Sequence, residues 1–220
     1  MPGVSGDDER LRAMRREYSD AGLLEADLPA DPLELFQRWF DEAQSAGVHE
    51  PNAVVVATAT PHGVPSSRLV LLKGLSPSGF VFFTNTASRK GGELAANPHC
   101  ALLFPWHALE RQVRVEGRAE MLAPAEVESY FASRPHGARV GAHASRQSRP
   151  VNGRDALEAD YEALLQRYPE GEDVPVPEEW GGYRVRPEVL EFWQGRPSRL
   201  HDRLVYTRDG ESWSTRRLAP

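Results

Sequence analysis

Between residues 52 and 118 the chain is a succession of short β-branched and aromatic runs cut off by turn residues: AVVVATAT, then HG, SSRLVLLKGL, then SPSG, FVFFTN, and later ALLFPW and RQVRVEGRAEML. Such runs read as strands. Parallel pairing needs a long crossover between each strand and the next, and no such segment separates every pair here. The stretch therefore predicts at least five strands in an antiparallel sheet or barrel rather than a doubly wound fold. One helix interrupts it, SRKGGELAANP, with Ser88 as N-cap and Pro98 as stop.

Helices flank this predominantly β core. ADPLELFQRWFDEAQSAG has Asp31 as N-cap, Pro32 at the first helical position, Glu34 in the capping-box position and Gly47 just past the end. Its predicted buried stripe is Leu33, Phe36, Phe40 and Ala43. Pro124 opens a further helix, residues 155–168 form another, and a Pro- and acid-rich loop, PEGEDVPVPEEWGG, follows. The last stretch alternates like strands, with a hairpin turn at Asp209-Gly210. Residues 1–28 are polar and lack apolar periodicity, the texture of an arm that orders only against something else. Residues 29–220 are expected to form one domain.

A formal net charge of -6 argues against a nucleic-acid binder, since affinity for a polyanion rests on Lys and Arg neutralising phosphates. Local basic clusters are better read as small-anion sites. Cys100 is the sole cysteine, so an intrachain disulfide and a cysteine-rich zinc site are excluded, and a reducing cytoplasm fits. No apolar run suits a signal peptide or a membrane span. The histidines lack metal-ligand spacing, so no metal is expected, and GxGxxG and GxxxxGK[ST] are both missing.

Several basic groups sit where structure alone gains little from them. In SRKGG, Arg89 and Lys90 occupy the first turn of a helix, where they oppose its dipole; an anion among them would resolve the conflict, and a solvated basic turn is the alternative. In RLVLLK, Arg68 and Lys73 flank an apolar run at a spacing that puts them on opposite faces of one regular strand, so one ligand meets both only if the strand twists or bulges. SYFASRP places Tyr130 and Arg134 on one side of a predicted helix, a phenol and a guanidinium suited to a phosphate monoester, or simply an Arg packed over an aromatic ring. SRLHDR places Arg199, His201 and Arg203 at a period of two, hence on one face of a predicted strand, where their mutual repulsion calls for an anionic or electron-rich ligand. Gln112 and Arg114 point away from the core side of their strand, and Gln147 and Ser148 lie in a polar loop able to bond a heterocycle.

In order, RLVLLK, FFTN, SRK, LLFPWHALERQV, YFASRP, QS, FWQG, RLHDR and the terminal RLAP resemble the pyridoxamine/pyridoxine 5'-phosphate oxidase family, from about residue 15 to the last residue. The resemblance implies an FMN-binding split β-barrel, working as a homodimer with FMN at the subunit interface. It implies that FMN meets Arg68, Leu69, Val70, Leu71, Leu72 and Lys73 of the RLVLLK run. Phe83, Thr84, Arg89, Lys90, Gln112, Gln147, Ser148, Trp193 and Arg203 complete that set. For the substrates pyridoxamine 5'-phosphate and pyridoxine 5'-phosphate it implies a phosphate clamp of Lys73, Tyr130 and Arg134, with Arg199, Leu200 and His201 at the ring. Arg199 and His201 are the implied catalytic pair, O2 is the acceptor, and the RREY segment with Arg15 and Tyr18 resembles an arm that closes over the site.

Three positions depart from the family pattern: Ala138 where serine is common, Phe83 for tyrosine and His143 for tryptophan. They put affinity in question more than reaction type. The rival readings are another flavin oxidoreductase on the same barrel, such as one acting on a phenazine precursor, and a non-catalytic flavin or pyridoxal-phosphate carrier.

Overall fold

The computed structural model describes Tyr18, Ser19 and residues 22–220. Among the described residues, nine strands form one antiparallel sheet: β1 (Ala53–Ala59), β2 (Pro65–Leu71), β3 (Gly74–Ser76), β4 (Gly79–Asn85), β5 (His99–Phe104), β6 (Arg111–Met121), β7 (Trp180–Gln194), β8 (Asp202–Asp209) and β9 (Ser212–Arg217). Among the described residues, five α-helices accompany it: α1 (Pro32–Ser45), α2 (Arg89–Ala96), α3 (Pro124–Ala132), α4 (His136–Ala144) and α5 (Arg154–Arg167). The strand order is β2-β1-β5-β6-β7-β4-β3, with β8 on β7 and β9 on β8.

The long strand β7 makes this path possible. One edge pairs with β6 along its length, while the other pairs with β4 through residues 180–185 and with β8 through residues 189–194. The sheet thus forks at the middle of β7 and curls. The β6–β7 ladder shifts register between Glu116 and Gly117, and a Cβ on Gly117 would lie 2.1 Å from the Arg186 carbonyl oxygen, so only glycine permits this approach.

Inside the curl, Phe36 of α1 packs edge-on against Phe80 and Phe104 at centroid distances of 4.9 and 4.8 Å, with Val113, Val115, Leu190 and Phe192 fully buried nearby. Each large apolar side chain removed from water contributes about 1.5–3 kcal/mol. Asp31 caps α1 by accepting from the Leu33 N–H at 2.9 Å, as its sequence predicts, but the buried stripe is Leu35, Phe36, Trp39 and Ala43. Leu33 and Phe40 only flank it, while Trp39 packs edge-on against Phe192 in the core. A second, small cluster of Phe131, Val140 and Val174 ties α3–α5 to the loop before β7.

Three local expectations are corrected. The run read as one strand over residues 66–75 breaks at Leu72-Lys73: the Leu72 N–H turns to the Asn52 carbonyl and the Lys73 N–H to the Val81 carbonyl, so β2 and β3 join different parts of the sheet. Arg134 lies outside α3, which ends at Ala132 with Ser133 as C-cap. Arg199, His201 and Arg203 do not share a strand: Arg199 ends a 3-10 turn, His201 lies in the connection and only Arg203 belongs to β8.

Candidate active site: a cation-lined cavity and a separate aromatic row

The break at Lys73 brings together what strict alternation would keep apart. Arg68 and Lys73 line one cavity of about 890 Å³ together with Leu69, Val70 and Leu71, within the range of small-molecule sites. Phe83, Thr84, Arg89, Lys90, Tyr130, Arg134, Gln147 and Ser148 also line it. Five cations face this space, and no Asp or Glu is among the described residues that line it. Leu72 is turned away and packs on the core.

The start of α2 supplies the densest positive charge. Ser88 caps the helix toward the Gly91 N–H, and a Cβ on Gly91 would fall 2.0 Å from the Thr86 carbonyl oxygen, so glycine lets the helix begin tightly against the end of β4. Lys90 is buried, and its Nζ donates to Gln147 Oε1 at 2.6 Å, Thr84 Oγ1 at 2.8 Å and Ser88 Oγ at 3.3 Å. Burial, and then the charge of Arg68, push its pKa down to about 8. Behind the cations lies the buried carboxylate of Glu93, which accepts from Arg89 Nε at 2.9 Å and from Thr58 Oγ1 and Ser66 Oγ at 2.5 Å each. Burial works against its charge, but these hydrogen bonds win and hold its pKa near about 2.

On another wall three rings lie nearly parallel. Phe83 stacks on Tyr130 at 3.9 Å and 13°, and Trp180 is parallel to both. The Arg134 guanidinium sits 5.0 Å from the Trp180 ring and 5.5 Å from Phe131, and its Nη1 is buried without a hydrogen-bond partner among the described residues. Burial lowers the Arg134 pKa. A buried donor left unpaired costs about 1–3 kcal/mol. Ala138 lines the cavity as well, whereas His143 is absent from its lining, bonding the Pro175 carbonyl and packing against Tyr168.

The remaining sequence-predicted residues gather elsewhere. Gln112 of β6, Trp193 of β7 and Arg203 of β8 are directly paired across three strands, forming one row. The His201 ring lies 4.7 Å from Trp193, and Tyr18 meets both edge-on at 5.4 and 5.9 Å. A small cavity touches Tyr18, Gln112 and Trp193 and shares no described lining residue with the large one. Arg199 and Leu200 are exposed beside the row, with Ser198 and Arg199 both at positive φ (55° and 62°). Arg203 has a structural partner the sequence did not reveal: Glu191, buried, takes both its Nε (2.8 Å) and Nη2 (3.1 Å). Arg114 approaches the same carboxylate at 3.3 Å. Arg15 lies outside the described residues.

Sequence reasoning missed Trp180, which no periodicity marks. It also missed Glu93, although its spacing of four from Arg89 on one helix was a usable signal.

Comparison with known proteins agrees with this geometry. The family profile described as "Pyridoxamine 5'-phosphate oxidase" matches residues 40–168, and that described as "Pyridoxine 5'-phosphate oxidase C-terminal dimerisation region" matches residues 180–220. A relative from Nocardioides sp. named "Pyridoxine/pyridoxamine 5'-phosphate oxidase" is 61% identical over 96% of this chain and 98% of its own. One of the same name from Rubrobacter xylanophilus is 56% identical over 96% of each. Among solved structures, PhzG from Burkholderia lata in complex with tetrahydrophenazine-1-carboxylic acid superposes with a TM-score of 0.86 at 35% identity, covering 92% of this chain and all of that one. An FMN-binding protein from Nostoc punctiforme shares the fold alone (TM-score 0.70, 16% identity, 88% of this chain and all of that one). By its curled antiparallel sheet, its cation-lined cavity and these matches, the chain belongs to the pyridoxamine 5'-phosphate oxidase family of split-barrel flavin proteins.

Proposed function

We propose that this protein oxidises pyridoxamine 5'-phosphate and pyridoxine 5'-phosphate to pyridoxal 5'-phosphate, with FMN as cofactor and O2 as acceptor, as a homodimer in the cytoplasm. The observation that carries the reading is the pairing of two phosphate-suited groups on one cavity that no described Asp or Glu lines: Arg68, Arg89 and Lys90 beside the start of α2, and Lys73, Tyr130 and Arg134. A flavin mononucleotide and a phosphorylated pyridine together would use both.

In this reading Arg68, Arg89 and Lys90 hold the cofactor's phosphate, with Thr84, Gln147 and Ser148 beside it. Tyr130 and Arg134 fix the substrate's phosphate, which orients the ring and reduces its freedom before reaction. The chemistry FMN supplies when bound is two-electron oxidation at the substrate's C4' carbon and re-oxidation by O2 to hydrogen peroxide. Water then releases ammonia from the oxidised amine. Because the Nδ1 of His201 accepts the Arg196 N–H, the neutral ring carries its proton on Nε2 and serves there as a donor. Arg199 stands beside it, and Tyr18 covers the ring of His201.

The row of Gln112, Trp193 and Arg203 does not border the large cavity of its own chain. A second copy that brought its row to this chain's cavity would complete the site, and a dimerisation-region profile over residues 180–220 supports that arrangement. A second reading, oxidation of a phenazine precursor, is favoured by the likeness to PhzG; against it, the ligand named for PhzG is a carboxylic acid without phosphate, and the relatives at higher identity carry the oxidase name.

Anaerobic mixing of FMN-loaded protein with pyridoxamine 5'-phosphate tests the proposal. Bleaching of the flavin, followed on admission of air by equal amounts of pyridoxal 5'-phosphate and peroxide, is expected. Flavin that stays oxidised with this substrate and its alcohol counterpart would overturn it.

A further inference from the structure

The carboxylate of Glu93 stands among groups that would otherwise attract anions, and how it is bonded gives it a task. Thr58 and Ser66 form a cross-strand pair of β1 and β2. Each hydroxyl stands between Glu93 and Arg68: Thr58 Oγ1 donates to Glu93 Oε2 and accepts from Arg68 Nη1 at 2.5 Å, while Ser66 Oγ donates to the same oxygen and accepts from Arg68 Nη2 at 2.5 Å. A carboxylate only accepts, so both hydroxyl protons must face it and both hydroxyl lone pairs are left for the guanidinium. The second carboxylate oxygen takes Nε of Arg89, one turn earlier on α2. Arg68 Nη2 also lies 3.6 Å from Oε2 directly. One buried anion thereby fixes two arginines on two different elements, and both line the cavity.

We propose that Glu93 is a positioning residue that presents Arg68 and Arg89 to a phosphomonoester, through the Thr58 and Ser66 hydroxyls on one side and directly on the other. This rests on the FMN reading above. Its contribution is orientation: the guanidinium is a planar donor fork, which gains most from a fixed angle toward phosphate oxygens. The negative charge of Glu93 works against the ligand, so orientation and charge predict opposite signs for its removal.

The test is flavin binding to the flavin-free protein, followed by fluorescence quenching, with FMN and riboflavin compared at pH 7. For Glu93→Ala, weakening of FMN by about tenfold or more with riboflavin changed less than about twofold is expected, as for lost charge-assisted bonds. Glu93→Gln keeps one acceptor oxygen and is expected to recover most of the loss. Should Glu93→Ala not fold, Ser66→Ala removes one hydroxyl relay, with FMN expected to weaken about threefold or more and riboflavin again unchanged. Tighter FMN binding in any of these variants, or equal loss for FMN and riboflavin, would overturn the proposal. A parent protein that binds riboflavin as tightly as FMN would overturn the phosphate site itself, and with it the role of Glu93.

Discussion

The backbone N–H of Arg196 donates to Nδ1 of His201 at 3.1 Å, across the turn that carries Arg199. This bond fixes the neutral tautomer, so His201 offers a hydrogen-bond donor rather than a base at Nε2. Replacing it with alanine is expected to lower kcat/KM for pyridoxamine 5'-phosphate by about 10- to 100-fold, as for one or two lost hydrogen bonds to the reacting substrate. FMN affinity should stay within about threefold of the parent. A fall in kcat/KM of more than about ten-thousandfold would instead mark a proton-transferring residue.

In the proposed cofactor site, Lys90 sets a pH limit. Its pKa is pushed down to about 8, whereas an unfolded lysine titrates near 10.5. Between these values the unfolded chain binds more protons than the flavin-free fold, so the stability of the flavin-free protein rises with pH in that window. Anion binding runs the other way, because it needs the charged ammonium. FMN affinity is expected to fall above pH 8 by up to about tenfold per pH unit, and the Lys90→Met variant should lose that dependence. Titrations at pH 7, 8 and 9 suffice, and a flat profile for the parent protein would refute this.

Trp180 is the platform for Arg134, whose guanidinium lies 5.0 Å from its ring. Trp180→Leu should raise KM for the phosphorylated substrate by about three- to tenfold with kcat little changed, and Arg134→Ala by about 100-fold. Steady-state kinetics with pyridoxamine, which lacks the phosphate, provide the control: its KM should not move. Equal losses for both substrates would mean that the stack supports the fold and not the phosphate clamp.

Arg203 and Glu191 make a partly buried pair in which only the acid is fully enclosed, at 4% side-chain exposure. Arg203→Ala leaves that carboxylate with Arg114 alone and is expected to destabilise the protein by about 3 kcal/mol in urea unfolding. The double change Arg203→Leu with Glu191→Leu should restore a good part of it, because it removes both charges together. A single variant as stable as the parent would show that Arg114 compensates.

Much of this architecture could be read from residues with strong local rules. Asp31-Pro32 and Gly47 bracket α1, Ser88 starts α2, and the turn at Asp209-Gly210 joins β8 to β9 with Asp209 opposite Ser212. The misreadings share a cause. Propensity sees residues 66–75 as one strand, yet the curl of the sheet hands its two halves to different neighbours at Leu72-Lys73. Arg134 was assigned to a helix although Pro135 follows it, and a residue before proline is pushed out of the helical region. The even spacing of Arg199, His201 and Arg203 suggested one strand, but a 3-10 turn led by Pro197 stands in its place. Within the site, the cations were legible because they stand where local structure gains nothing from them. Of their carboxylate partners, Glu93 is marked only by its spacing of four from Arg89, and Glu191, paired across strands, looks ordinary in sequence.

The separation of the cavity from the row of Gln112, Trp193 and Arg203 bears on heredity as well as chemistry. If each complete site takes its cavity from one chain and its row from the other, an allele damaged only in the cavity and an allele damaged only beside the row can rescue each other. In a mixed dimer of Arg68→Ala and His201→Ala chains, both lesions fall in one site and the other is whole. Random pairing of equal amounts would leave about a quarter of all sites intact, from two chains whose own dimers contain no intact site.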